Sequence, residues 1–214
     1  MPIALSLPLL AQLAPNARSS CREGAANAQP VLDRHGITQS KLRLAHFLAQ
    51  IMHESGALTL QQENLNYSAP RLPVVWPSRF QPRGPLDPAA FANNPEKLAN
   101  EVYGGRMGNT RPGDGFKYRG RGLMQLTGRS SYQEATRILR GFSADAPDFE
   151  ADPDLVFSAA WALPIAAAEW ESKGCNPLAD EDQITKVTQR INGGQIGIAA
   201  RRDWLLRVKA LLKI

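Results

Sequence analysis

The sequence predicts a mainly α domain broken by one long irregular segment, and three observations carry that expectation. Apolar residues recur at helical spacing, most plainly Leu44, Phe47, Leu48 and Ile51. Between Asn64 and about Gly115, Pro70, Pro73, Pro77, Pro82, Pro85 and Pro88 punctuate a stretch rich in Asn and Gly. After Gly122 the helical pattern resumes and runs to the C-terminus. At 214 residues the chain has room for one well-buried domain, or one divided into two lobes. Residues 1–214 therefore read as a single unit, with about 64–115 forming a smaller lobe or cleft wall. So long an irregular stretch inside a compact domain is usually either functional or a misread element.

Taken in order, Leu9–Ala14 and Gly24–Arg34 read as short helices, the second closing on Gly36, a residue suited to a helix C-cap. Thr38 or Ser40 can cap a stronger helix that runs to Ser55 and stops at Gly56. Within the irregular segment one short helix, Pro95–Val102, fits the pattern. The later helices are expected over Ser131–Leu139, over Asp154–Ser172 with a kink at Pro164, over Asp182–Ile191, and from Ala199 onward. Leu123–Thr127 reads as extended, with Gln125 and Thr127 on one face and Met124 and Leu126 on the other.

Composition narrows the function classes. The net charge of +5 favours polyanions (nucleic acid, anionic lipid or an acidic wall polymer) without choosing among them. Cys21 and Cys175 are too few for a disulfide framework and too far apart for a zinc knuckle, so buried thiols are expected. No run reaches the roughly 18 apolar residues that span a bilayer. The N-terminal MPIALSLPLLAQLAP lacks a basic leader and is interrupted by Pro8, so it reads as a short amphipathic helix rather than a signal peptide.

The stretch AQIMHESG places Glu54 within roughly 20° of Phe47 on the helical wheel, on or beside the buried stripe. A carboxylate there is costly unless it is paired, hydrogen-bonded or protonated. Desolvation and the carbonyl end of a helix both favour the protonated form, which is what a general acid needs. The bland alternatives are a frayed, solvated end or an ion pair. The zinc-protease pattern H-E-x-x-H fails, because Ala57 stands where the second histidine belongs. His46 and His53 lie about 10 Å apart along the axis, too far to share an ion, so no metal site is expected. Glu63 follows just beyond the helix, and two carboxyls about 6.5–9.5 Å apart would suit an inverting glycosidase.

GDGFKYRGRGLMQLTGRSSY, residues 113–132, fits neither a Walker nor a dinucleotide loop. Gln125 and Thr127 would offer a neutral amide and hydroxyl of the kind that sugars bind. Arg119, Arg121 and Arg129 could instead form a phosphate-binding patch, but the basic run is short and the aromatics few, so nucleic acid is not expected as a partner. Asn192 in INGG reads first as a turn, with Arg201 and Arg202 following.

Together, FLAQIMHESG, ENLNYSAPRL, WPSRF, NNPEKLANEVYGGRMGNT, GDGFKYRGRGLMQLTGRSSY and LADEDQITKVTQRINGG resemble glycoside hydrolase family 19, the plant-type chitinase family, and within it the phage-endolysin branch. The resemblance implies an α+β lysozyme-like, mostly helical fold, two-lobed, with a deep substrate groove. It implies Glu54 as general acid, Glu63 as the carboxylate that activates water, and Thr127 in the catalytic set. Gln125, Ser131, Tyr132, Asn192 and Arg201 are implied as substrate-binding residues. Ser131 stands where plant-type members carry asparagine, and the second glutamate of the plant enzymes lies further along the chain. The implied activity is cleavage of the β-1,4 glycan of peptidoglycan, without cofactor or metal, by a monomer that does not insert stably into membranes. An endolysin of this kind would remain in the host bacterial cytoplasm until released to the wall. No separate wall-binding domain is expected. Chitin hydrolysis, a non-catalytic carbohydrate-binding relative, and a secreted antibacterial effector are the competing readings.

Overall fold

The computed structural model describes residues 2–59 and 62–214. The described residues form twelve α-helices: α1 (Leu7–Leu13), α2 (Ser19–Ala26), α3 (Gln29–Arg34), α4 (Lys41–Glu54), α5 (Leu72–Val75), α6 (Pro95–Tyr103), α7 (Asp114–Lys117), α8 (Arg129–Arg140), α9 (Ala162–Ser172), α10 (Cys175–Asp180), α11 (Ile184–Asn192) and α12 (Ile198–Leu212). Among the described residues the only β pairing is isolated bridges. The mainly helical expectation holds.

α4 is the axis of the larger core. Ser40 caps it, its hydroxyl oxygen accepting from the Arg43 amide at 3.1 Å. Every residue from Leu44 to Met52 is buried, so the helix is covered on all sides rather than along one stripe. α12 lies along it, and α9 contributes Ile165 to Ala168 and Trp170. Phe47 meets Trp170 edge-on, ring centroids 5.6 Å apart. A fully buried ring of this kind is worth about 3–5 kcal/mol against alanine.

A second apolar cluster shares no residue with the first. It is built from Leu65, Leu72, Phe80, Phe91, Leu98, Ala99 and Val102, with Tyr67, Trp76 and Tyr103 packed against it. Asn94 caps α6 by accepting from the Lys97 amide, and Pro95 takes the first helical position, where its missing N–H costs nothing. α7 crosses α6 so closely that a Cβ on Gly115 would lie 2.5 Å from the Ala99 carbonyl oxygen.

Three expected elements differ. The helix read over Gly24–Arg34 is two helices, α2 and α3, parted at Asn27 and Ala28. The helix read over Asp154–Ser172 is a 3₁₀ turn at Pro153–Phe157 followed by α9. Pro164 is the third residue of α9, in the first turn where backbone donors have no intrahelical partner, so it produces no kink. Leu123–Thr127 is not extended. Arg121 and Leu126 exchange backbone hydrogen bonds (3.1 and 2.8 Å) around a tight turn, with Gly122 at φ +77° and Gln125 at φ +54°. The two-faced outcome survives by another route: Met124 and Leu126 are buried, while Gln125 and Thr127 stay partly exposed.

Candidate active site

Glu54 is the last residue of α4. Immediately after it the chain turns through three consecutive residues of positive φ, Gly56 (+55°), Ala57 (+56°) and Leu58 (+63°). Two of these carry side chains, a conformation that costs about 1–2 kcal/mol per residue. Ser55 pins the turn: its hydroxyl donates to the Ile51 carbonyl at 2.5 Å and accepts from the Leu58 amide at 2.9 Å. The end of α4 is thereby held in one orientation.

The Glu54 side chain is 17% exposed. Its Oε1 receives Arg201 Nη2 at 2.5 Å, while among the described residues Oε2 takes no hydrogen bond. Arg201, in the first turn of α12, is 2% exposed. Its other terminal nitrogen donates to Gln50 Oε1, and the Gln50 amide donates in turn to Thr188 of α11 at 3.3 Å. One buried guanidinium thus joins three helices and aims the acid. Beside it, His53 packs on Gly197, where a Cβ would fall 2.4 Å from the imidazole Nε2. Burial first, then the Arg201 charge, lower the His53 pKa against the opposing pull of Glu54.

Glu63 is held from the other side. Its amide donates to the Gly120 carbonyl at 2.9 Å, and the Gly120 amide reaches back to Glu63 Oε2 at 3.3 Å. Tyr103, at the end of α6, donates its hydroxyl to Glu63 Oε1 at 2.6 Å. Burial and the neighbouring Glu63 push the Tyr103 phenol well above its ordinary value, so it remains a donor. Gly120 is glycine for a steric reason. A Cβ there would meet Gln125 Oε1 at 2.8 Å, Thr127 Oγ1 at 3.3 Å and Glu63 Cβ at 3.4 Å. Three predicted residues therefore converge on one small patch. The Thr127 hydroxyl donates to the Gln125 carbonyl at 2.9 Å, and the Gln125 amide donates to the Gly122 carbonyl at 3.2 Å.

The remaining expectations divide. Ser131 lies one turn into α8 and donates to the Thr127 carbonyl at 2.8 Å, steadying the patch. Tyr132 is a correction: fully buried, it donates its hydroxyl to the Arg119 carbonyl at 2.7 Å and accepts from Arg121, so it braces the loop and has no face for a ligand. Asn192 ends α11 and is exposed, its amide donating to the Ile196 carbonyl at 3.5 Å to close the INGG turn.

The three arginines of the phosphate-patch alternative are engaged within the protein. Arg121 is 4% exposed and pairs with Asp154 at 2.8 Å. Arg129 is tied to Asp114 at 2.7 Å and Glu150 at 3.3 Å. Arg119 stacks on Phe116, 4.0 Å from the ring centroid. Sequence reasoning did not find Tyr103 or Gln50, whose roles depend on long-range contacts that local periodicity does not carry.

No family model matches the chain. A Haemophilus influenzae protein described as a glycosyl hydrolase family 19 domain-containing protein is 40% identical over 164 residues, 76% of this chain and 76% of its own length. Among solved structures, chitinase C from Streptomyces griseus superposes with a TM-score of 0.66 at 20% identity, over 99% of this chain and 77% of that one. A bacterial family 19 chitinase gives 0.66 at 22% identity, over 99% and 96%. The class IV chitinase of Zea mays gives 0.60 at 18%, over 99% and 94%. The structural neighbours share the fold, the curated relative shares sequence across three-quarters of the chain, and on that footing the chain belongs to glycoside hydrolase family 19.

Proposed function

We propose that this glycosidase cuts the β-1,4 glycan strand of bacterial peptidoglycan with inversion at the anomeric carbon, acting as an endolysin. The observation that carries the reading is the separate mounting of two carboxylates. Glu54 closes the central helix of the larger core, and Glu63 is gripped by a tyrosine packed on the smaller one. In this reading a glycan strand lies between them and meets one acid on each side.

Glu54 donates its proton to the glycosidic oxygen as the bond to the leaving sugar breaks. The carboxylate this leaves is already faced by Arg201, so the charge that develops is stabilised without rearrangement. Glu63 takes a proton from a water on the opposite face of the ring, and that water attacks the anomeric carbon. Tyr103 and the Gly120 amide keep the two Glu63 oxygens oriented, while Thr127 and Gln125 offer lone pairs and an amide where the water would sit. Ser131 and Asn192 border the strand, and no cofactor enters the scheme. The positive net charge draws the enzyme to a wall polymer rich in carboxylates, and a release from the cytoplasm to that wall fits this use.

Release of reducing sugar from purified Gram-negative sacculi, with none from colloidal chitin, is the expected result. The reverse preference makes the enzyme a chitinase, the activity carried in the names of its structural neighbours. Glu54→Gln should fold normally and lose at least about a hundredfold in turnover, the usual scale for removing a general acid. A variant that keeps more activity than that removes Glu54 from the role.

A further inference from the structure

A cavity of about 250 Å³ lies between α8 and α9 and takes no part in the chemistry above. Leu126, Ile138, Ile165 and Ala168 give it apolar walls, Ser131 lines it too, and its charged lining is Glu134 and Glu169 against Lys173 alone. Its position joins the two halves of the site. Ser131 bonds the Thr127 carbonyl on one side, and on the other Glu169 feels the charge of Glu54.

Glu169 is the unusual member. Its Oε1 pairs with Lys173 at 2.8 Å, and the same ammonium donates to the Ile191 carbonyl at 2.8 Å. Its Oε2 is buried and, among the described residues, has no hydrogen-bond partner. An ionised carboxylate offers about four acceptor positions, and a buried one left short of donors is costly. Burial raises the Glu169 pKa, Lys173 opposes that, and Glu54 adds to it. The terminal torsion of a glutamate is soft, so a small rotation presents either oxygen to the cavity.

The missing partner is a donor, preferably a cation, on an apolar stem. The volume is many times the roughly 10–15 Å³ that a single enclosed water needs. That suits an aliphatic chain better than the acetamido group of a sugar, which would leave most of the walls uncovered and bring no charge.

We propose that this cavity is a side pocket for an aliphatic side chain ending in an ammonium group, carried by the peptide stem of the wall polymer, with Glu169 receiving the ammonium. The proposal rests on the peptidoglycan reading and deepens it, since chitin carries no such stem.

Calorimetry with a disaccharide-tripeptide whose terminal diamino acid is either free or N-acetylated at its side-chain amine tests it. Acetylation should weaken binding to the wild type at least about tenfold. Glu169→Gln should bind both forms alike, and Ser172→Arg, a cation placed on an exposed position at the mouth, should weaken only the free amine. Equal binding of the two forms by the wild type, or a surviving preference in Glu169→Gln, overturns the pocket. Should Glu169→Gln fail to fold, the wild-type comparison decides alone. Cleavage of peptide-stripped glycan reports separately on the substrate reading: cleavage there with no amine preference rejects the pocket only, and no cleavage of either sacculi or stripped glycan rejects both.

Discussion

Tyr103 holds Glu63 by a single phenolic hydrogen bond of 2.6 Å, short and charge-assisted, and such bonds contribute about 1.5–3 kcal/mol. If Glu63 activates water, Tyr103→Phe lets its carboxylate swing while leaving the packing of the ring intact. Turnover should fall about ten- to a hundredfold with KM nearly unchanged, as steady-state kinetics on a soluble glycan would show. An unaltered kcat would mean that the Gly120 amide suffices to hold Glu63. At this scale the residues that gather in the candidate site were partly legible. Glu54 stood out because a helical wheel put a carboxylate on an apolar stripe, and Gln125 and Thr127 because an amide and a hydroxyl alternated with apolar residues. Tyr103 and Glu169 were not legible, since nothing local distinguishes a tyrosine or glutamate at a helix end from a surface one. Tyr132 was placed at the site by its motif, while its own side chain turns into the core.

At the level of elements, the decisive contact is α12 against α4, with Arg201 as its polar centre. Removing a buried partner strands the groups it satisfied, here Gln50 and Glu54, at a cost of about 3 kcal/mol or more. Arg201→Ala should therefore lower the melting temperature by roughly 6–12 °C for a chain of this size, measurable by scanning calorimetry. Arg201→Lys should recover only part of the loss, because one ammonium lacks the planar fork that reaches both acceptors. Helix existence was readable from periodicity and capping, as the Ser40 cap of α4 illustrates. What failed were boundaries and the turn at Gly122–Gln125. A five-residue alternating run fits a strand and a hairpin turn equally well until its partner residues are known.

For the whole molecule, acidic stability is set by aspartates that bridge elements distant in sequence. Asp114 is buried beside Arg129; burial pushes its pKa up, but the Arg129 hydrogen bond and the Arg111 amide bring it below the ordinary value. Asp180 is lowered chiefly by Arg43. In Asp182 burial acts upward, and the hydrogen bonds from Lys209 and His46 outweigh it. A folded pKa below the unfolded value near 3.9 means stability that is complete above about pH 4 and lost as pH falls further. The denaturant midpoint should sag gently from pH 7 to pH 5, as the lowered pKa values of His46 and His53 make the unfolded chain take up protons first, and fall more steeply below about pH 4. Asp114→Asn should lower the melting temperature at pH 7 by several degrees and flatten that acid-side drop, and an unchanged slope would take Asp114 out of the explanation.

The chain passes between its two apolar interiors only twice, between Leu58 and Leu65 and again between Val102 and Tyr118. Neither interior borrows a side chain from the other, and polar contacts tie the crossing segments: the Tyr103–Glu63 hydrogen bond, the Arg129–Asp114 ion pair and the Ser130 amide on the Met107 carbonyl. Loss of packing in one interior need not accordingly spread into the other.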